Sequence, residues 1–341
     1  MKENGHNIST IADIARLAGV SKSTVSRALN DSPLIGAETK DRIRSLAREH
    51  RFRMNVPARR LSLKQSNAVA LVSYAYSADS GIPDAFMLEI MGGISVALHA
   101  NDYDLLMIHV SKSDDEWVDR YLESGRVDGF VLLSAMCTQR HLDSLVDANA
   151  PFVMWGVPPG GAAGYCTVTG DSVTGGHVAT EHLVQSGRRR VAFLGGPARA
   201  PEVQDRLQGY RDALDASGVE FDPTLVVHAN WLQPEVSSAV AVQQLLERAP
   251  DVDGIFANSD LLAIGAMDAL RLAGRRVSDD VAVIGYDDIA IARHANPPLT
   301  TIRQDGPLAG RLLAENLIQH IQTGVLTNVS IPAELVLRES A

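Results

Sequence analysis

Apolar residues Ile11, Ile14, Ala15 and Ala18 recur at i, i+3, i+4 and i+7, which predicts one short amphipathic helix. Thr10 and Asp13 have capping-box spacing at its start, with Asp in place of the usual Glu. Gly19 ends it, because glycine tolerates the positive φ of a tight turn. Ser21 caps a second helix two residues later, whose inner stripe is Val25, Ala28 and Leu29. Two helices across a turn of about three residues form a helix-turn-helix. The outer face of the second carries only hydrogen-bonding side chains, Lys22, Ser23, Ser26, Arg27 and Asn30. That is the pattern of a helix that reads base edges in the major groove. The stretch 39–49, with Ile43, Leu46 and Ala47 inward, predicts a third helix that closes the small core.

The residues 55–62 that follow, Asn-Val-Pro-Ala-Arg-Arg-Leu-Ser, could open as a helix, with Asn55 as N-cap and Pro57 where a missing amide costs little. So short a segment falls below the ~12 residues at which isolated helices become borderline stable. It is expected to fold only when a partner or DNA orders it, which makes it a candidate switch.

From Ala68 onward the period changes. Short β-rich runs at 68–73, 103–110, 129–133, 152–155, 190–194, 225–228, 253–257 and 281–285 alternate with amphipathic helical stretches. Such alternation predicts parallel sheets with helices on both faces. Eight or so units exceed one comfortable sheet, and the Pro/Gly-rich segment 157–164 interrupts the series, so two doubly wound halves are expected. Ligands of such sheets lie beyond the carboxyl ends of the strands. Polar residues collect there: Ser73, Asp171, Asn258-Ser259-Asp260, Asp287-Asp288 and Gln304, with Arg206 and Trp231 further along their units. Carboxylate and guanidinium groups that bond hydroxyls, beside an aromatic for the C–H face of a ring, suit a sugar.

Charge sharpens the division. Residues 1–64 hold 13 Lys/Arg against 6 Asp/Glu, whereas the remaining 277 hold 18 against 35, within an overall charge of −10. A basic head on an acidic body points to a polyanion as the partner of the head and argues against a plain helical hairpin. The longest apolar runs fall far short of the ~20 residues of a membrane span, and Met1–Thr10 lacks the apolar core of an export signal, so a cytoplasmic protein is expected. Cys137 and Cys166 show no zinc-type spacing and are expected as two buried thiols. Enzymatic chemistry lacks support. Gly195-Gly196-Pro197 lacks the third glycine of a dinucleotide motif and the Lys-Ser/Thr of a P-loop, and neither GxSxG nor HExxH occurs. No catalytic residue, metal ligand or cofactor is assigned.

The run Val20-Ser-Lys-Ser-Thr-Val-Ser-Arg-Ala-Leu-Asn30 resembles the helix-turn-helix motif of the lactose-repressor/galactose-repressor family of bacterial transcription regulators. Residues 55–61 are similar to its hinge, and Asn258-Ser-Asp260, Gly285-Tyr-Asp-Asp288 and Pro297-Pro-Leu-Thr-Thr-Ile302 to its effector domain. Gly36, where the family usually caps the third helix with serine, and Met54, in place of a frequent proline, depart from the pattern. The resemblance implies a helix-turn-helix head (1–54), a hinge and linker (55–65) and a periplasmic-binding-protein-like type I body (66–341). The body halves are expected at about 66–162 plus 306–328 and about 163–295 plus 329–341.

It further implies that Thr10, Ser21, Lys22, Ser23, Thr24, Ser26, Arg27 and Asn30 contact double-stranded DNA. Asn55, Ala58 and Leu61 would enter the minor groove, with Leu61 as a wedge. Arg206, Trp231, Ser259 and Asp287 match effector-contacting positions, to which the polar strand-end pattern adds Ser73. Gly156 stands where a polar ligand residue is frequent, and Trp155 beside it could line the cleft or be core. A helix-turn-helix reads few base pairs, so a homodimer on a palindromic operator is expected. The chain ends without a heptad repeat, so the family's coiled-coil tetramer is not. A repressor controlled by a small carbohydrate is the favoured function; a purine corepressor is the alternative, with a free sugar-binding protein or an enzyme more distant.

Overall fold

The computed structural model describes residues 10–29, 31–50, 52, 65–74, 85–111, 114, 116–133, 137–157, 164–231 and 233–341. They fall into two compact units divided between Ser66 and Asn67. The first contains α1 (Ile11–Ala18), α2 (Lys22–Leu29) and α3 (Ala37–Glu49). Both halves of the capping box form, and Gly19 ends α1 in the left-handed region at φ 65°. Gly36 caps α3 through its extended backbone without a side-chain bond. Ile14, Ala15, Ala18, Val25, Ala28 and Ile43 make the core, with Leu29 and Leu46 packed at its edge. Arg42 ties α3 to α1 by donating from Nη2 to the Ala18 carbonyl at 3.0 Å.

The second unit is built in chain order from β1 (Ala68–Tyr74), α4 (Ala85–Ala100), β2 (Asp104–Val110), α5 (Trp117–Leu122), β3 (Gly129–Leu133), α6 (Gln139–Asp147), β4 (Phe152–Trp155) and β5 (Thr167–Gly170). It continues with α7 (Ser172–Gln185), β6 (Val191–Gly195), α8 (Pro201–Ala216), β7 (Val226–His228), α9 (Pro234–Arg248), β8 (Gly254–Ala257) and α10 (Asp260–Leu272). β9 (Ala282–Asp287), β10 (Thr300–Arg303), α11 (Gly306–Thr323), β11 (Asn328–Ile331) and β12 (Glu334–Val336) complete it. Two six-stranded sheets result, ordered β11-β5-β4-β3-β1-β2 and β12-β10-β9-β8-β6-β7. Every pairing is parallel except β10 with β12. The central strands β3, β4, β6 and β8 are buried throughout, as sheets covered on both faces require.

The division into halves differs from the expected one. β5 pairs with β4 (Met154↔Thr167, Trp155↔Val168), so the strands on both sides of the Pro/Gly-rich segment belong to the first sheet. The chain first crosses to the second half after Gly170, and returns through Gln304 and Asp305 to α11, which packs on α4. β11 pairs with β5 in the first sheet, so the last crossing comes after Ile331 rather than after residue 328. Cys137 and Cys166 are buried free thiols. Trp155 is core, tilted against Phe86 at 5.7 Å between ring centroids. Among the described residues no helix is long and apolar enough to cross a membrane.

Candidate functional site

In the head, Ser21 Oγ accepts a bond from the Thr24 amide at 3.1 Å and lies 2.7 and 2.8 Å from the Ser23 and Thr24 hydroxyls. The start of α2 is therefore held by its own polar residues, which fixes the direction in which the helix presents its outer face. Lys22, Ser23 and Arg27 are exposed on that face, and Ser26 is half-buried. Thr10 accepts from the Asp13 amide at 3.3 Å. Asp31 takes Lys40 and Arg44 at 2.9 Å each, and the two cations hold its carboxyl below its ordinary value. Lys22 and Arg27 make no ion pair with another described residue. Asn30, Asn55, Ala58 and Leu61 lie outside the described residues.

In the body, α8 starts just past the carboxyl end of β6 and carries Arg206 in its second turn. Gly176 and Gly209 let α7 and α8 approach closely; a Cβ at Gly209 would collide with the Val173 carbonyl, and one at Gly176 with the Arg206 carbonyl. Arg206 is buried, donates from Nη1 to the Asn258 carbonyl at 2.5 Å, and stacks its guanidinium 3.6 Å from the centroid of the Tyr286 ring. The stack and the bond fix a cation whose Nε has no partner among the described residues. Asn258, fully buried past β8, has neither amide atom partnered among the described residues. Glu202 stands one turn before Arg206 with Oε2 sealed and without a partner among the described residues, and burial pushes its carboxyl up against the opposing pull of Arg206.

Asp287 ends β9 at φ 112°, followed by Asp288 at φ 59°. Asp287 Oδ1 accepts from Gln304 Nε2 at 2.7 Å in a buried contact. Asp288 turns the other way, to Arg303 at 2.8 Å and to Arg338. Trp231 rests its indole on Gly196, where a Cβ would collide with the ring, and remains half-buried. Asp260 is fully buried, accepting from Thr301 Oγ1 at 2.5 Å and from the Ile289 amide at 2.8 Å. Burial is the largest influence on it and pushes its carboxyl up to about 7.

Arg206 and Asn258 thus converge through a bond, and Arg206 and Asp287 flank Tyr286 in space and sequence respectively. Ser259 caps α10, its Oγ accepting from Leu262 at 3.3 Å, and Asp171 caps α7. Ser73 sits on β1 opposite His109. The orphaned polar atoms at Asn258 and Glu202 and the bracing by Tyr286 and Gln304 exceed what the selected residues had indicated. Asn258 and Gln304 already carry the polar-after-strand signal; Tyr286 reads from sequence only as strand core. Among the described residues no group of His, Cys, Asp and Glu could hold a metal ion.

The family model "Bacterial regulatory proteins, lacI family" matches residues 10–55, and "Periplasmic binding protein-like domain" matches 180–341. The regulator CelR of Thermobifida fusca is 37% identical over 338 residues, covering 97% of this chain and 98% of the relative. The chain belongs to the LacI family. Among other LacI-family members, the ribose operon repressor of Escherichia coli K12 is 30% identical over 97% of this chain and 99% of its own length. A solved CelR–cellobiose complex superposes with TM-score 0.74 at 34% identity, covering 97% and 99% of the two chains. The lac repressor dimer bound to operator and the anti-inducer ONPF gives 0.80 at 26%, covering 97% and 98%. These relatives are regulators, not enzymes.

Proposed function

We propose that this LacI-family chain is a cytoplasmic transcriptional repressor that binds a palindromic operator as a homodimer and releases it when a neutral sugar occupies the body. The head supplies Lys22, Ser23, Ser26 and Arg27 for the major groove. The observation that carries the effector reading is the set of buried polar atoms around Arg206 that have no partner among the described residues, namely Arg206 Nε, both amide atoms of Asn258 and Glu202 Oε2. Buried polar groups left without partners are costly, so a ligand rich in hydroxyls gains by supplying them. Carboxylates at Glu202 and Asp287 disfavour an anionic effector, and Trp231 offers a flat apolar surface for a pyranose face. A β-linked glucose disaccharide suits this set and agrees with the cellobiose complex of CelR.

A palindromic duplex selected by the protein from a randomised pool provides the probe. Fluorescence anisotropy should show tight binding that falls steeply with salt, since Lys and Arg displace condensed counterions. Cellobiose should weaken it, and glucose 6-phosphate and purines should not. Operator binding indifferent to every sugar, or weakened by a purine alone, would overturn the effector assignment.

A further inference from the structure

Gln304 lies on the return crossing between β10 and α11, and Gly170 is the last residue of β5, where the first crossing to α7 begins. The two meet. Gln304 is buried, its side-chain amide donates to the Asp287 carboxylate at 2.7 Å, and its backbone N–H donates to the Asp287 carbonyl at 3.3 Å. Its other end, Oε1, occupies the space in which a Cβ on Gly170 would stand. The third crossing joins them, because the Asp171 amide donates to the Ile331 carbonyl at 2.9 Å. One carboxamide therefore touches the carboxylate assigned to the effector and the backbone of a strand that leaves the first half.

We infer that Gln304 is the positioning residue that converts engagement of Asp287 into a change in the angle between the two halves. This rests on the proposal that Asp287 contacts the effector. A ligand hydroxyl that draws on the Asp287 carboxylate competes with Gln304 Nε2 for it. The carboxamide then has to rotate or shift, and it is packed directly against Gly170, so the displacement is passed to the crossing. A ligand moves such an equilibrium only through its different affinities for the two arrangements, and Gln304 is in contact with both ends of that difference. A bond between Asp287 and a residue away from the crossings would hold the carboxylate equally well and transmit nothing.

Two substitutions approach the same group from opposite sides. Gln304→Met keeps the volume and removes the bond to Asp287. Gly170→Ala leaves Asp287 and Gln304 chemically intact, and its new methyl displaces only the far end of the Gln304 side chain. The quantity to measure is the ratio of operator Kd with and without saturating cellobiose, together with cellobiose Kd by calorimetry and the melting temperature.

Wild type should show a ratio of about 5 to 150, the usual range for coupled sites. Both variants should melt as folded proteins and bring the ratio to within about twofold of unity, with cellobiose Kd in Gly170→Ala within about threefold of wild type. A wild-type ratio in both folded variants overturns the role of Gln304 and leaves the effector reading standing. A wild-type chain that binds no sugar overturns the effector reading instead. Gln304 is then judged on sugar-free operator affinity: a shift of fivefold or more in both variants supports the link, and an unchanged affinity overturns it.

Discussion

Asp287 offers the sharpest test because its effector role and its structural role can be separated by two substitutions. Asp287→Asn preserves size, keeps an oxygen for Gln304 Nε2, and suits the positive φ of 112°, since Asn populates that side of the map more readily than most residues. Stability should change by no more than about 1 kcal/mol. Binding should suffer more. A hydrogen bond to a charged group contributes about 1.5–3 kcal/mol against about 1 for a neutral pair. The substitution therefore removes roughly 0.5–2 kcal/mol, and cellobiose should bind about 2- to 30-fold more weakly.

Asp287→Ala adds two structural penalties. Alanine has no side-chain bond to support the unusual φ, at a cost of about 1–3 kcal/mol. The buried Gln304 amide loses its acceptor, at a further cost of about 1–3 kcal/mol. Calorimetric melting of the body should fall by on the order of 5–15 °C, whereas Asp287→Asn should melt close to wild type. Equal cellobiose affinity in wild type and Asp287→Asn would show that the carboxylate does not meet the ligand. An unshifted melt of Asp287→Ala would refute the reading of the Gln304 bond.

Arg27→Ala should cost about 1–3 kcal/mol on the selected operator and little on random duplex, because it removes base readout and leaves most phosphate contacts; equal loss on both, measured by anisotropy, would make Arg27 a phosphate contact. Trp231→Ala should weaken cellobiose by about 1–2 kcal/mol and abolish any sugar-dependent change in tryptophan emission, because Trp117 and Trp155 are core residues. Asp260 should make the body less stable as pH rises. Its carboxyl titrates near 7 when folded against an ordinary 3.8, so the folded state holds the extra proton. That contribution is fully present below about pH 4 and is lost as the pH passes through 7. Asp260→Asn should flatten the dependence in chemical denaturation at pH 5 and 8, and an unchanged slope would contradict it.

The head was almost wholly legible because its cues are local. Thr10, Gly19 and Ser21 punctuate the chain within a few residues of the stripes they bound, and no distant contact overrides them. The body was legible in class but not in its crossings. β5 has only four residues, and the sequence before it has the composition of a linker, so nothing local reveals that Met154 pairs with Thr167. β11 and β12 are short strands at the sheet edges whose residues, Ile331 apart, are exposed or half-buried, which leaves a weak apolar signal. The candidate site followed the same division. Polar residues past strand ends marked Asn258, Asp287 and Gln304. The stack of Arg206 on Tyr286 joins elements some 80 positions apart and leaves no trace in periodicity.

The neighbouring aspartates show how the fold sustains an unusual backbone conformation at the carboxylate proposed for the effector. In an extended strand Asp287 and Asp288 would face opposite sides, and two successive residues at positive φ cost free energy of on the order of 1–3 kcal/mol each. Asp288 offsets part of this by joining Arg303 and Arg338, with Arg338 also donating to the Leu299 carbonyl at 2.6 Å and Arg303 reaching Glu334 at 3.3 Å. That network anchors the turn to β10 and to the C-terminal segment beyond β12, both within the second half. Asp287 is consequently presented by a turn fixed to one half, while Gln304, its partner, sits where the chain leaves that half. A rigid acceptor on one side and a residue at the crossing on the other is the arrangement in which a few hydrogen bonds to a sugar can bias a large rearrangement.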